Sequence, residues 1–365
     1  MKTQSSFQHR QGIELVVAVL EEPIARSLLA LFLALAVVFL VMPVLGANPL
    51  GAYSSLFAGA FGSKQAIGET SLAMTPLLIS SLGFALAYKC GLFNIGLEGQ
   101  IQVGAVAAAF VGYSIHGLPS AVHLPLALAA SLAAGAIWGL GPAILKARFG
   151  IHEVISTIMM NYIAFKLSAY MVSVQGPMKD RLDLMPASPV IESSAKLARI
   201  MGGTRLTWGI AIALVAAFLV WFLLSKTRLG YKLRVVGQNH FAAEVGGIRA
   251  SHYYVIAMML SAGLGGLAGG VETLGVHYRL LASFSPGYGF DAIAVSLLGG
   301  LHPLYIIVSS FIFGALRSGA ILMQAKEGMS KDIVQVISTV IIFVMSMADP
   351  LGRLIKRRIG LKTNA

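Results

Sequence analysis

The sequence predicts an all-α bundle of membrane-spanning helices, and three features carry that expectation. Charged residues make up 12% of the 365 positions and hydrophobic residues 57%, where a soluble domain carries about 25% charged residues. The mean hydropathy is +0.80. Apolar runs close to the roughly 20 residues needed to cross a bilayer recur along the whole chain. The 40 glycines suit close helix packing in lipid. In a soluble protein, the net charge of +12 would suggest nucleic acid. Here the basic residues sit between apolar runs, which reads as loops facing anionic lipid, with no nucleic-acid partner.

In chain order the expected spans are residues 24–46, 69–88, 121–145, 154–173, 207–224, 253–274, 304–323 and 333–348. Two irregular, glycine-rich segments, 94–112 and 286–300, bring the expected number to about ten, two of them broken or short. Residues 50–61 are too few to span and are expected at the outer interface. The first 26 residues contain Glu14, Glu21 and Glu22 and no small-residue cleavage site, so the first span is expected to remain as an anchor.

Orientation follows from Lys and Arg. With the N-terminus inside, sixteen of the 27 basic residues fall on inner segments, among them Lys89, Lys146, Arg148, Lys226, Arg234 and Arg249. Five of the outer ones lie in the long loop 174–205, and long loops weigh less in this rule. An even number of spans returns the basic C-terminus to the same side. The expectation is one transmembrane domain, 1–365, in a bacterial cytoplasmic membrane. Its cytoplasmic parts would be an N-terminal segment 1–23, a loop 225–251 and a basic tail 350–365.

Two segments bring polar groups into apolar spans. In Gly91-Leu92-Phe93-Asn94-Ile95-Gly96-Leu97-Glu98-Gly99-Gln100, a carboxylate enters a span beside flexible glycines. A charge in hydrocarbon costs a few kcal/mol and usually marks function. Glu98 equally suits the first turn of a helix, where an anion complements the helix dipole. The same alternatives hold for Asp291 in Ser285-Pro286-Gly287-Tyr288-Gly289-Phe290-Asp291. Asn94, Glu98, Gln100 and Asp291 are therefore the candidate solute-pathway residues. Each half of the chain holds one such interrupted span, and paired broken helices in transporters point to the solute site. Glu272 reads as interfacial. Asn161, Lys166 and Arg317 fall within spans as possible partners for the carboxylates, with no pairing assigned.

The third segment runs from Gly230 to Ile248 in the inner loop. Asn239 suits a helix N-cap and Gly246 or Gly247 a stop. The short helix between them holds Phe241, Ala242, Ala243, Glu244 and Val245. Small and apolar residues in a defined helix suggest docking by another protein, where an ordinary linker would be more polar.

Other chemistries lack their motifs. No phosphate-binding loop, zinc pair or nucleophile elbow occurs in the sequence. With one cysteine, Cys90, no internal disulfide can form, and no Cys/His cluster has metal spacing.

The Asn94–Gln100 run after Gly91-Leu92-Phe93, together with Arg234, Gly237, Asn239, Ala242, Ala243, Gly246 and Ile248, resembles the permeases of nucleoside and simple-sugar ATP-binding cassette importers, in the wider ribose and branched-chain amino-acid permease group. Asp291-Ala292-Ile293-Ala294 and the closing Leu298-Gly299-Gly300 also match that pattern, over about residues 69–352. The resemblance implies a transport subunit rather than an enzyme, with no cofactor of its own because a partner ATPase uses the ATP. It also implies a second permease chain (different or identical) and an extracytoplasmic solute-binding protein. The inner-loop helix would then couple to the ATPase through Arg234, Gly237, Asn239, Phe241, Ala242, Ala243, Glu244 and Gly246. The competing expectation is a proton-coupled secondary transporter using Glu98 and Asp291; an integral-membrane enzyme lacks the required constellation.

Overall fold

The computed structural model describes residues 23–45, 48–282, 284–328 and parts of 330–347. The segment before residue 23, the basic tail 350–365 and parts of the span expected at 333–348 lie outside the described residues. Among the described residues the chain is mostly helical and forms no strand, only two isolated bridges, Ala187 with Leu281 and Arg199 with Thr207.

The described residues include α1 Pro23–Val41, α2 Pro49–Phe61, α3 Lys64–Lys89, α4 Leu97–Ser114, α5 Ser120–Phe149, α6 Glu153–Met171, α7 Gly209–Lys226, α8 Arg228–Gln238, α9 His240–Val245, α10 Ala250–Glu272, α11 Tyr288–Leu298 and α12 Pro303–Glu327. Among the described residues, six stretches are long and apolar enough to cross a membrane: Ser27–Val44, Lys64–Lys89, Ser120–Phe149, Gly209–Lys226, Ala250–His277 and Pro303–Glu327. The other expected spans fall short for identifiable reasons. Glu98, Gln100 and Gln102 make the start of α4 polar, Glu153, Asn161 and Lys166 interrupt the apolar run of α6, and α11 has 11 residues. At 1.5 Å per residue, α11 covers about half of a bilayer core.

Burial sorts these helices into centre and rim. The apolar window of α3 is 89% buried, against 22% for α1, 28% for α5 and 33% for α7. Helix α3 therefore runs through the middle, with α10, α11 and α12 packed around it. Ser63 caps α3 by accepting the Ala66 N–H at 3.0 Å. Residues 50–61, too short to span, form α2, which packs along α12.

Helices α4, α5 and α10 meet backbone to backbone. A Cβ on Gly104 of α4 would stand 2.1 Å from the Gly266 oxygen of α10, and one on Gly266 would stand 2.3 Å from the Ser131 oxygen of α5. Such contact distances exclude any side chain, and they give the polar backbone of short α4 close neighbours on two sides.

Two features shape the end of the bundle that carries the loop 172–208. Helix α10 continues as a π-turn, Thr273–His277, and stops at Tyr278 with φ 56. Single π-turns inside helices recur at functional sites because they re-aim side chains. The long loop then zips onto the chain beyond α10, through Ser188 N–H to Leu280 O, Ile191 N–H to Tyr278 O and Leu197 N–H to Leu274 O, at 2.9–3.0 Å.

Candidate solute cavity and partner-docking loop

Helices α4 and α11 both start inside the bundle. The chain leaves α3 at Lys89, re-enters through residues 90–96 and resumes helix only at Leu97. Asn94 makes that re-entry possible. Its amide nitrogen donates to Ser261 Oγ at 2.9 Å and to Gln100 Oε1 at 3.0 Å, and its oxygen accepts the Gly96 N–H at 2.9 Å. Asn161 of α6 holds the same turn, accepting from Gly99 N–H and donating to Ile95 O. These buried side chains do the work that water would do at an exposed helix start.

Glu98 reaches from α4 to the other interrupted helix. Its Oε2 accepts the Gly289 N–H at 2.6 Å in the first turn of α11. A carboxylate there answers both the unpaired N–H groups and the positive end of the helix dipole. The approach requires glycine, because a Cβ on Gly289 would stand 2.3 Å from the Glu98 nitrogen. At the N-cap, Gly287 takes φ 93, a left-handed conformation.

Asp291, one turn into α11, faces a cavity of about 340 Å³ that opens at the 172–208 end, between α3, α10, α11 and α12. Arg317 of α12 donates to Asp291 Oδ2 from Nε at 2.9 Å and from Nη2 at 2.6 Å, and also reaches Pro286 O at 3.1 Å. Its guanidinium stacks over the Tyr288 ring, 4.7 Å from the centroid, a cation–π contact in a sheltered site. Nearer the mouth, Arg205 of the long loop grips Glu69 of α3 through Nε–Oε1 at 2.9 Å and Nη2–Oε2 at 2.5 Å. The π-turn brings Glu272 and His277 to the same wall, with His277 Nε2 3.6 Å from Glu272 Oε1, too long for a hydrogen bond.

The structure thus separates the four sequence candidates. Asp291 lines the cavity. Asn94, Glu98 and Gln100 lie behind it, each at most 3% exposed and engaged with one another or with backbone. The cavity-wall residues Glu69, Arg205 and His277 carried no sequence signal, and Tyr288 lay in a marked segment with no role assigned. Glu272, which reads as interfacial, is 6% exposed and faces the cavity. Arg317 was visible as a charge within a span, and its partner is Asp291. Lys166 is exposed on α6 and, among the described residues, pairs with no carboxylate.

At the other end of the bundle, α8 and α9 form the loop 227–249. The Asn239 side chain accepts the Ala242 N–H at 3.1 Å, and Gly246 closes α9 by donating to Ala242 O at 3.0 Å. Phe241 is 71% exposed and Val245 93%, flanked by exposed Ala242, Glu244, Asn239 and Arg234. Ala243 points the other way. It is 1% exposed and belongs to the chain's own core, which corrects the expectation that its small side chain meets a partner. It is small because α9 lies flat on the bundle. Gly237 is small for a similar reason: a Cβ there would stand 2.2 Å from the Lys89 oxygen, so it docks α8 onto the 89–91 turn.

Comparison with known proteins agrees with this architecture. A family model described as the permease component of the branched-chain amino acid transport system matches residues 66–346. The guanosine ABC transporter permease protein NupP of Bacillus subtilis is 41% identical over 322 residues, covering 87% of this chain and 92% of its own. The nucleoside ABC transporter permease protein NupB of Lactococcus lactis is 33% identical, over 84% and 86% of the two chains. The glucose ABC transporter permease protein TsgB13 of Haloferax volcanii is 30% identical, over 88% and 86%. The protein is a multi-pass membrane protein belonging to the permease-component family of the branched-chain amino acid transport systems.

Proposed function

We propose that the chain is the membrane-spanning permease subunit of an ATP-binding cassette importer for nucleosides or related sugar-bearing solutes. The observation that carries this reading is the division of the molecule: a polar cavity at one end and an exposed apolar docking helix at the other. Solute delivered by a binding protein would enter beside Glu69, Glu272 and Asp291. ATP binding on a partner would act through Phe241 and Val245. The full span number, about ten with both termini cytoplasmic, belongs to the same reading, as does pairing with a second permease chain. The membrane would be the bacterial cytoplasmic one, and the cavity would face its outer side.

Chemistry narrows the solute. The cavity wall holds four carboxylates, Glu69, Glu272, Asp291 and Asp332, against two guanidiniums, Arg205 and Arg317. With His277 neutral its formal charge is −2. Carboxylates accept hydrogen bonds from ribose hydroxyls and base N–H groups, whereas a phosphate would meet like charge in a partly desolvated site. The volume also sits in the ordinary range for small-ligand sites. The relatives named for guanosine, nucleosides and glucose support an uncharged, hydroxyl-rich solute. In ATP-driven uptake of labelled guanosine, adenosine and cytidine should compete and guanosine 5′-phosphate should not. Equal competition by the phosphate would remove the nucleoside assignment.

A further inference from the structure

We infer that the groove between the C-terminal end of α5 and the start of α10 is a binding site for an anionic phospholipid of the leaflet facing the 225–251 loop. The groove encloses about 640 Å³. It is separate from the solute cavity and lies beside the docking helix, since Gly247 forms part of its wall.

The polarity of the groove is graded along α5 and α10. At its rim stand Arg148, in the last turn of α5, and Arg249, at the start of α10. Among the described residues neither arginine is paired with a carboxylate; Glu153 is taken by Lys146 at 2.8 Å. Deeper in, the walls become apolar, at Ile144 one turn from Arg148 on α5 and at Val255 beyond Ser251 and His252 on α10. Ile137, Gly141, Ile144 and Arg148 repeat at spacings of four, three and four, which places them on one stripe of α5. Ile137 and Ile144 are exposed on that stripe. Tyr253 also lines the groove, and aromatic residues with a polar tip favour bilayer interfaces.

Two guanidiniums over an apolar slot match a lipid phosphate above its acyl chains. About 6 Å, one helical turn, separates Arg148 from Ile144 along α5. Guanidiniums bind phosphate oxygens in bidentate fashion, and basic pockets between membrane helices are a recurrent headgroup site. A water-soluble acidic protein segment would also satisfy the arginines, but it would leave the apolar stripe of α5 without a counterpart. A lipid seated here would brace Gly247 and so set the height of α9.

The test is native mass spectrometry of the full-length chain, titrated with phosphatidylglycerol or phosphatidylcholine. The native chain should retain phosphatidylglycerol preferentially. Arg148→Gln/Arg249→Gln should weaken that retention roughly tenfold or more, at about 1 kcal/mol per basic residue near a charged surface. Arg148→Lys/Arg249→Lys keeps the charge and should keep most of the binding. Lys326→Gln, exposed at the opposite end, should change nothing. Equal retention of the two lipids, equal loss in the Gln and Lys variants, or displacement by inorganic phosphate alone would overturn the inference. So would a photoactivatable phosphatidylglycerol that labels α1 or α7 in place of α5 and α10.

Discussion

Glu98 and Asp291 occupy similar places: each is an acid in the first turn of a helix that begins inside the bundle, and each is 3% exposed. Their partners differ. Glu98 is bound to backbone, the Gly289 N–H at the start of α11. Asp291 is bound to a guanidinium at the floor of a cavity. Burial alone therefore does not distinguish an acid that joins helices from one that lines a cavity; the partner does. Glu98 joins the two half-helices and fixes where α11 starts. The Asp291–Arg317 pair lines the cavity wall, whereas Glu98 lies behind it.

The largest effect should come from breaking the join between half-helices. Gly289→Val places a side chain 2.3 Å from the Glu98 nitrogen, against Leu97–Glu98 backbone that cannot swing away. The folded chain should be lost, measured as membrane abundance and as monodisperse material after detergent extraction. A well-folded Gly289→Val protein would mean that α11 is not fixed against α4.

The next effect concerns the cavity floor. Arg317→Met removes the guanidinium from Asp291 and should cost about 3 kcal/mol, at the low end for a broken buried pair because Arg317 is partly exposed. The double variant Asp291→Asn/Arg317→Met should regain at least half of that loss in thermal unfolding. If the two losses simply add, the pair is not the unit described here.

A smaller effect separates the two faces of α9. Val245→Glu changes a 93% exposed side chain, so the chain should stay folded while ATPase co-purification falls by about 2 kcal/mol, more than tenfold. Ala243→Glu puts a charge into the chain's own core and should lower abundance as well. Similar abundance for both, with ATPase loss only in Ala243→Glu, would restore the inverted orientation.

The smallest effect lies in the outer loop. The Met185 N–H and then Arg279, at 2.6 Å, hold the Asp183 carboxyl below the usual aspartate range. A lowered folded pKa gives a contribution that is present above the ordinary value near 4 and lost as pH falls through the lowered one. Hydrogen exchange at the Met185 amide, corrected for intrinsic pH dependence, should stay constant from pH 7 to about 4.5 and accelerate below that range. Asp183→Asn should remove the transition.

Several of these features were legible in the sequence because they depend on local chemistry. Asn239 and Gly246 bound α9 as their capping preferences require. The glycine-flanked acids marked both half-helices. The direction of Ala243 was not legible, since six residues make under two turns and fix no face by periodicity. The cavity wall was hidden for a different reason. Glu69 and Arg205 are 136 residues apart, and Asp291 and Arg317 are 26 apart. Only the packing of α3, α11 and α12 brings such groups together. Glu272 and His277 share a wall through a π-turn, which a helical wheel drawn at 3.6 residues per turn misplaces.

The central claim is that the cavity at one end is driven by a partner docked at the other. The direct measurement is uptake of labelled guanosine into proteoliposomes, with the chain alone under an imposed proton gradient and with the chain assembled with its ATPase and second permease subunit. The chain alone should transport nothing, and the assembly should transport only with ATP inside the compartment that the 225–251 loop faces. Gradient-driven uptake by the chain alone would contradict the account and make Glu98 or Asp291 a proton carrier.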